Sequence, residues 1–487
     1  MSGVGIVEAA TLTADVPGWD HEVDVVVVGL GAAGVSAALE AHRGGAQVLV
    51  LERASGGGGA SAASEGIFYL GGGTTLQRDL GVDDTPDNMY AFMRAVTSTP
   101  DDGTLRLFCD EAAEHFDWLE AQGVHFERAL FTGKAVAVRT GAGLLTTGNE
   151  KVWPFREAAA PAPRGHQAEG SEQERGGAPA MRALLATFER EGVPALYDTG
   201  VVGLVRDPGG RVVGVHGRRH GADVWVRARA GVVLATGSFN LNAEMTKANF
   251  PTFATYGQPL GIDTNDGAGV QLGQSVGGAT RGMDGVIATA SIYPPAELIK
   301  GIVVNNRGER FVPEDAYHGR LAHFVERQPD HQAFLIVDEE IFAYPEKGSH
   351  RMVDGYETVA EMEAGLGVPA GSLAATLDGY NRDVADGEDR RFHKHHDWLK
   401  PLHPPFVVFD ISVTSSDYHY IALGGLAIDV DGRAQKADGT IIDGLYAVGA
   451  CAAHFPQNGH EYASGMSLGP GSWWGRRAGR HAAQRAG

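Results

Sequence analysis

The residues with the clearest chemical potential in this chain are three glycines near its N-terminus. Gly29, Gly31 and Gly34 form a G-x-G-x-x-G pattern, and Glu52 follows 18 positions after the last of them. In such a pattern the first glycine permits a tight turn, the second lets a pyrophosphate approach the backbone, and the third packs a helix on a strand. A carboxylate at the position of Glu52 accepts hydrogen bonds from ribose hydroxyls. The set predicts an adenine dinucleotide site.

The elements around these glycines must form a βαβ unit to position them. Residues 24–28 are a β-branched run, typical of a strand that is buried on both faces. Residues 35–43 predict a helix rich in small side chains, and residues 46–51 predict a second strand that ends at the acid. The N-terminus of that helix offers free N–H donors and the positive end of its dipole to phosphates.

Further features favour FAD over a nicotinamide cofactor. A second glycine-rich loop, residues 55–61, follows the βαβ unit at once, and a late apolar strand ends at Gly449. Both are expected where a long, extended FAD is held at several points. Arg53 would suit the 2′-phosphate of NADP, but the neighbouring Glu52 argues against it. Because no second strand-linked G-x-G-x-x-G is present, we expect no nicotinamide domain and an unidentified electron acceptor.

Composition and charge exclude several other classes of protein. The chain has 487 residues and a formal net charge of −21, which makes nucleic acids and anionic membrane surfaces poor partners. Its 2 cysteines are too few for a disulfide framework or a thiolate metal site, and His419, His454 and His460 lack metal-ligand spacing. Residues 1–20 have neither a basic nor an apolar leader segment, and no apolar run is long enough to span a bilayer. We therefore expect a cytoplasmic protein without a metal.

Changes in amino-acid composition along the sequence divide the chain into two kinds of region. Residues 20–280 and 408–487 have the glycine-rich pattern of a nucleotide-binding domain, whereas residues 281–407 contain more aromatics, histidines and charges. Residues 83–123 have helical spacing, and the Pro/Gly/Ala-rich residues 158–180 predict a loop. Further strands are predicted at residues 201–205, 212–215, 224–226 and 232–234. The pattern indicates a discontinuous domain, 20–280 with 408–487, that is interrupted by an inserted domain, 281–407.

Motifs along most of the chain resemble the succinate dehydrogenase/fumarate reductase flavoprotein family. The matching segments are residues 29–34, 58–61, 235–237, 264–267, 308–312, 424–426 and 444–449. The resemblance implies an α/β fold (α+β overall), with a split Rossmann-like FAD-binding domain and an inserted capping or catalytic domain. Members with covalent flavin carry a histidine in the second glycine loop. Residues 55–64 contain none, so noncovalent FAD is expected.

The glycine pattern and the resemblance together predict which residues contact FAD. They are Gly29, Gly31, Ala32, Ala33, Gly34, Glu52, Arg53, Gly58, Gly59, Ala60, Ser61, Val202, Ala235, Thr236, Gly237, Asp266, Gly449, Ser467 and Leu468.

The sequence departs from the family pattern where fumarate reductases bind their dicarboxylate substrate. Those enzymes use two arginines, one before a C-terminal Gly-Gly-Asn-Ser-Leu stretch and one after a Glu-Arg-Phe-Val-Asn-Glu segment. Here Tyr462 stands at the first place, and the segment after residues 309–314 lacks the second arginine and has Tyr317 instead. Neutral phenols in place of guanidiniums imply a neutral, carbonyl-bearing substrate rather than a dianion.

Within the family, Glu314-Asp315-x-Tyr317 together with residues 462–465 resembles the 3-ketosteroid Δ4-(5α)-dehydrogenase group. The resemblance implies a 3-keto-5α-steroid as substrate and Tyr317, Tyr462 and Ser464 as catalytic residues. Tyr462 would donate to the ketone oxygen, Ser464 would take the proton from carbon 4, and Tyr317 would relay it towards solvent. The hydrogen of carbon 5 would leave as hydride to flavin N5.

Three alternatives stay open on the sequence. A 3-ketosteroid Δ1-dehydrogenase would act at carbons 1 and 2 of the same ketone by the same α-proton and β-hydride logic. A reductase of an enoate such as urocanate would share the fold. A flavoprotein without catalytic activity would bind FAD tightly and show no steroid-dependent bleaching.

Overall fold

A computed structural model of the protein describes residues 7–99, 101–289, 292–347 and 349–486. In these ranges the strands, β1 to β22 in chain order, are Thr11–Leu12, His21–Val28, Val48–Leu51, Ile67–Tyr69, Leu130–Phe131, Leu144–Leu145, Gly165–Gln167, Ala195–Leu196, Thr199–Arg206, Val212–Arg219, Ala222–Leu234, Gln258–Pro259, Thr280–Arg281, Val286–Thr289, Ile302–Asn305, Ala333–Asp338, Arg351–Tyr356, Phe406–Asp410, His419–Ala422, Gly425–Leu426, Arg433–Gln435 and Ile441–Ala447. The α-helices of the same ranges, α1 to α14, are Ala32–Arg43, Gly59–Ala62, Thr75–Asp79, Pro86–Val96, Asp102–Ala121, Phe155–Ala158, Gly177–Arg190, Ala243–Asn249, Pro251–Tyr256, Ala268–Ser275, His318–Glu326, Val359–Leu366, Ser372–Ala385 and Leu468–Gln484.

The largest sheet carries the glycine turn. Its strands run in the order β1-β9-β10-β11-β2-β3-β8, and β22 pairs with both β11 and β21. Strands β2, β3 and β8 are parallel, and β11 and β22 join the same parallel group. Val25, Val26 and Val27 of β2 are fully buried, which explains their unbroken β-branched run. The predicted mixed α/β fold is confirmed.

Local predictions around this sheet are mostly confirmed, with shifted ends. Helix α1 begins at Ala32 rather than residue 35, directly after its N-cap residue Gly31. The stretch 83–123 is two helices, α4 and α5, whose N-caps are Thr85 and Asp101. The two strands predicted after residue 222 are one long strand, β11.

The prediction of a loop over residues 158–180 is wrong in part. Strand β7 lies inside it, and helix α7 begins at Gly177. Strand β7 pairs with β4 and β6 in the sheet β4-β7-β6-β5, so tertiary pairing outweighs the local turn-forming composition.

A second body of the fold is built on an antiparallel sheet, β15-β16-β18-β17. Its hydrophobic core includes Ile302, Leu335 and Phe409, and is distinct from the core that contains Val26 and Leu49. A small sheet, β12-β19-β14, contributes to the second core. The exact domain boundaries at 280/281 and 407/408 stay a prediction.

Among the described residues, no helix has the length and apolar character needed to cross a lipid bilayer.

Candidate active site

A cavity of about 690 Å³ lies beside the glycine turn. Its lining includes Gly29, Gly31 and Glu52 of the predicted dinucleotide site. The same cavity is lined by Tyr317, Tyr462 and Ser464. The fold therefore brings the predicted cofactor site and the three predicted catalytic residues to one space.

The glycine turn has the backbone geometry that the pattern predicts. Gly29 has φ +100°, and a Cβ there would lie 2.5 Å from the carbonyl oxygen of Ala235. A Cβ on Gly34 would lie 2.0 Å from the carbonyl oxygen of Gly29, so α1 packs on the turn only because this residue is glycine. The backbone N–H of Ala32 donates to Ser61 Oγ at 3.1 Å, which ties the second glycine loop to the start of α1.

The two charged residues after β3 have different surroundings. The Glu52 carboxylate is buried and accepts hydrogen bonds from the backbone N–H groups of Leu30, at 2.7 Å, and Ala54, at 2.8 Å. The Arg53 guanidinium donates to Asp266 Oδ2 at 2.7 Å and to the Thr264 carbonyl at 2.9 Å. Because Asp266 already balances the charge of Arg53, this guanidinium is not free to bind a 2′-phosphate.

Nearly all residues predicted to contact FAD line the cavity, with three exceptions. Gly34 lies beneath the turn, and Gly58, with φ +116°, turns the chain ahead of α2. Val202 of β9 does not line the cavity, whereas its neighbour Val201 does, because alternate residues of a strand face opposite sides.

The three predicted catalytic side chains come from two parts of the fold. Tyr317 is the N-cap residue of α11, and Tyr462 and Ser464 lie in the segment that leads into α14. The Tyr317 hydroxyl is hydrogen-bonded to Ser464 Oγ at 2.9 Å, and the Tyr462 hydroxyl to Ser467 Oγ at 3.0 Å. Tyr317 is 4% exposed and Tyr462 is 6% exposed. The pair Tyr317–Ser464 can pass a proton along a single hydrogen bond.

A loop that sequence reasoning missed holds this pair in place. The backbone N–H of Ser464 donates to the Thr147 carbonyl at 2.9 Å. The backbone N–H of Tyr317 donates to Asn149 Oδ1 at 3.0 Å, and Asn149 Nδ2 donates to the His460 carbonyl at 3.3 Å. Asn149 is 1% exposed, so these contacts are shielded from water. The loop thereby links the segments that carry all three predicted catalytic residues.

Burial keeps the hydroxyl groups of the site neutral. Burial, reinforced by the nearby Tyr462, holds the pKa of Tyr317 well above its usual value, although the Ser464 hydrogen bond opposes this shift. Burial also raises the pKa of Tyr462, and its hydrogen bond to Ser467 acts in the opposite direction. The ring of His318 lies 4.0 Å from that of Tyr317, centroid to centroid, and burial lowers its pKa to about 3. The site is therefore suited to a neutral substrate.

Comparison with known proteins agrees with this geometry. Residues 24–468 match the family model described as FAD binding domain.

The chain belongs to this FAD-binding family.

Its relatives include ketosteroid dehydrogenases. A crystal structure of 3-ketosteroid-Δ4-(5α)-dehydrogenase from Rhodococcus jostii, in complex with 4-androstene-3,17-dione, is 40% identical, has a TM-score of 0.91, and is matched over 98% of this chain and 100% of that one. A 3-oxo-5α-steroid 4-dehydrogenase from Comamonas testosteroni is 28% identical over 90% of this chain and 94% of its own. A 3-oxosteroid 1-dehydrogenase from Mycobacterium tuberculosis is 27% identical over 96% of this chain and 99% of its own.

The residues of the cavity fit FAD, the cofactor of this family. Close approach of a pyrophosphate needs a bare backbone, and Gly31 supplies it at the N-cap of α1. The first N–H groups of a helix have no intrahelical acceptor and point towards such a ligand. Glu52 adds a carboxylate among the lining residues. The predicted FAD cofactor is confirmed by the family match, and its noncovalent attachment stays a prediction.

Proposed function

We propose that this protein catalyses the FAD-dependent dehydrogenation of 3-keto-5α-steroids between carbons 4 and 5. The observation that carries the proposal is the partly buried hydrogen bond of 2.9 Å between Tyr317 and Ser464, in the cavity that Tyr462 and the FAD-binding glycines also line. The 40% identity to the Rhodococcus jostii enzyme over nearly the whole chain supports the choice of substrate class.

In the proposed reaction Tyr462 polarises the ketone. Carbon 4 is α to the carbonyl, so its proton becomes more acidic when a donor contacts the oxygen at carbon 3. The Tyr462 phenol supplies that donor without a charge, and its raised pKa keeps the proton on the oxygen at neutral pH. A donor aimed at developing enolate charge in a dry site acts as an oxyanion hole. Ser467, bonded to the same hydroxyl at 3.0 Å, orients it.

Ser464 and Tyr317 then move the proton. A serine alone is a poor base and needs a hydrogen-bonded partner. As Ser464 Oγ takes the proton of carbon 4, its own hydroxyl proton passes to Tyr317, which relays a proton towards solvent. Bound FAD supplies the acceptor for the hydride that leaves carbon 5. The steroid loses one proton and one hydride and gains a carbon–carbon double bond, and an unidentified acceptor reoxidises the flavin.

The anaerobic reaction with 5α-androstane-3,17-dione tests this proposal. We expect bleaching of the flavin absorbance and formation of 4-androstene-3,17-dione, identified by chromatography against the authentic compound. Fumarate in the same assay serves as the control substrate and should not reoxidise the chemically reduced enzyme. Formation of the 1-ene product would assign the chain to the Δ1 reaction, and absence of any bleaching would contradict dehydrogenase activity.

We also propose that the flavin is noncovalent and that the enzyme works in the cytoplasm. Residues 55–64 contain no histidine for flavin attachment, and Cys109 and Cys451 are both buried free thiols, as in proteins of reducing compartments. Acid precipitation should release all the flavin into the supernatant. Cell fractionation should recover the enzyme with cytoplasmic markers, and flavin or protein elsewhere would contradict these expectations.

A further inference from the structure

One face of the small sheet β12-β19-β14 forms part of the cavity wall. Strands β14 and β19 are antiparallel, and their register pairs Ile287 with Ile421 and Thr289 with His419. All four residues line the cavity, whereas the alternating pair, Ala288 with Tyr420, belongs to the core of the second body. The strands therefore present two pairs of side chains to the cavity, one apolar and one polar.

The apolar pair lies next to the catalytic residues. A Cβ on Gly319 would lie 2.7 Å from Ile287 Cδ1 and 2.8 Å from Tyr317 Cε1, so these two side chains flank the same point. The polar pair is two residues away from the apolar pair on each strand, after Ile287 on β14 and before Ile421 on β19. This spacing places the two pairs roughly 7 Å apart. A rigid ligand that places a ketone near Tyr462 and lies along this wall would meet isoleucines first and Thr289 and His419 afterwards.

The polar pair has unused hydrogen-bonding capacity. In the described ranges, neither the Thr289 hydroxyl nor the His419 ring takes part in a side-chain hydrogen bond or an ion pair, and both side chains are only partly exposed. Asn240, another polar residue of the lining, is different, because its amide donates to the Leu260 carbonyl and accepts from the Ala422 N–H at 2.7 Å. A hydroxyl and an imidazole together offer donors and acceptors, so they can serve either a ketone or an alcohol.

We propose that Thr289 and His419 form a subsite that hydrogen-bonds an oxygen at carbon 17 of the steroid. The inference rests on the proposed function, because it requires a 3-ketosteroid whose carbon 3 oxygen is bound by Tyr462. It assigns the preferred substrates to androstane-type 3-ketones with a 17-keto or 17-hydroxyl group. A steroid with only hydrocarbon at carbon 17 would exclude water from Thr289 and His419 and would offer these two side chains no hydrogen bond in its place.

Three substrates that differ only at carbon 17 test the subsite. They are 5α-androstane-3,17-dione, 17β-hydroxy-5α-androstan-3-one and 5α-androstan-3-one, which has no oxygen there. We expect kcat/KM for the two oxygenated substrates to exceed that for 5α-androstan-3-one by about tenfold, the effect of one or two net hydrogen bonds. Flavin reduction by any of the three upholds the proposed function independently, and equal kcat/KM for all three would overturn the subsite alone.

Substitutions then locate the discrimination. Thr289→Val and His419→Phe should each reduce the advantage of the oxygenated substrates, measured as the ratio of their kcat/KM to that of 5α-androstan-3-one, by ~3-fold or more. His419→Gln keeps a donor and an acceptor and should retain more of the advantage than His419→Phe. Gln258→Leu is the matched control, because Gln258 pairs with His419 from β12 but is exposed and does not line the cavity.

Two results would overturn the subsite. If the substitutions at Thr289 and His419 reduced activity equally on all three substrates, the pair would act on catalysis or folding in general. If they weakened FAD retention, measured by the flavin released on gel filtration, the pair would belong to the cofactor site.

Discussion

At the scale of single residues, the two buried tyrosines have different hydrogen-bond partners and hence different expected roles. Tyr462 is bonded to Ser467, and Tyr317 to Ser464. Each phenol is held neutral by burial, so the site offers donors and no cation at these two positions. Burying a carboxylate without a cation costs several kcal/mol. The same arrangement that favours a ketone therefore disfavours a dicarboxylate.

Tyr462→Phe removes the proposed donor to the ketone oxygen while keeping the ring. We expect the rate of flavin reduction by 5α-androstane-3,17-dione to fall by ~10² or more, as for the loss of one transition-state donor. Steroid affinity should change much less, because most of it comes from apolar burial. Stopped-flow absorbance measures both. Tyr418→Phe is the control, because it also removes a buried hydroxyl, which donates to the Ile411 carbonyl at 2.7 Å outside the cavity. Unchanged rates in Tyr462→Phe would remove Tyr462 from the mechanism.

Ser464→Ala should separate binding from proton removal. The variant should retain FAD and bind steroid, because the substitution removes only a hydroxyl, yet it should fail to exchange the carbon 4 hydrogen with D₂O. Tyr317→Phe should show the same defect and respond to added buffer if its role is the relay. Mass spectrometry of recovered steroid measures the exchange. Wild-type exchange in either variant would contradict the assigned role.

At the scale of elements, the loop of residues 147–150 links the segments that carry the proposed catalytic residues. Asn149→Ala removes both the acceptor for Tyr317 N–H and the donor to the His460 carbonyl. We expect kcat to fall by ~10-fold or more while KM changes little, since misplacement of catalytic groups affects the transition state more than binding. Asn149→Gln keeps a neutral acceptor and a donor and should retain more activity.

The readouts for Asn149 distinguish positioning from folding. Flavin content and the thermal midpoint should stay close to wild type in Asn149→Gln. Asn88→Gln is a matched control, because Asn88 also bridges segments, through Asp84 and Ala160, but contacts neither of the segments that carry Tyr317 and Ser464. Equal losses of activity in the two Gln variants would refute a positioning role for Asn149.

Much of the element structure near the cofactor could be predicted because its constraints are local. The β-branched strand, the positive φ of Gly29 and the acid at Glu52 follow from short stretches of sequence. Val201 lines the cavity and the predicted FAD contact Val202 does not, because the face that a strand residue occupies depends on the register of the strand. Asn149 has no local signal: its two contacts reach 168 and 311 residues along the chain. Strands β14 and β19 have four residues each, too few for a reliable alternation pattern.

At the scale of the whole molecule, buried neutral histidines couple folding to pH. Burial lowers the pKa of His166 and His454 to about 4 and that of His318 to about 3, from an ordinary value of 6.5. In the unfolded chain these rings bind protons below about pH 6.5, so between pH 6.5 and 4 the unfolded state holds more protons than the folded state. Their contribution to stability is therefore present above pH 6.5 and is lost as the pH falls.

We accordingly expect the free energy of unfolding to decrease by on the order of 1 kcal/mol or more per pH unit between pH 6.5 and 5. Urea titrations with FAD in excess, at several pH values, measure this slope. Carboxylates with lowered pKa values add to the loss only below about pH 4.5. A free energy of unfolding that is constant or rises on acidification over this range would contradict the expectation.

The bond between Tyr317 and Ser464 joins chain segments that are 147 residues apart, one at the start of α11 and the other ahead of α14. Helix α11 contributes Leu321 and Ala322 to the core of the second body, and α14 contributes Ala478 and Ala482 to the core around the large sheet. A slight parting of the two bodies would break this bond and withdraw Tyr317 from the core around the large sheet, while the rest of both cores stayed intact. Turnover is thus a more sensitive gauge of their alignment than circular dichroism, and in mild denaturant the enzyme should lose activity before it loses helix content.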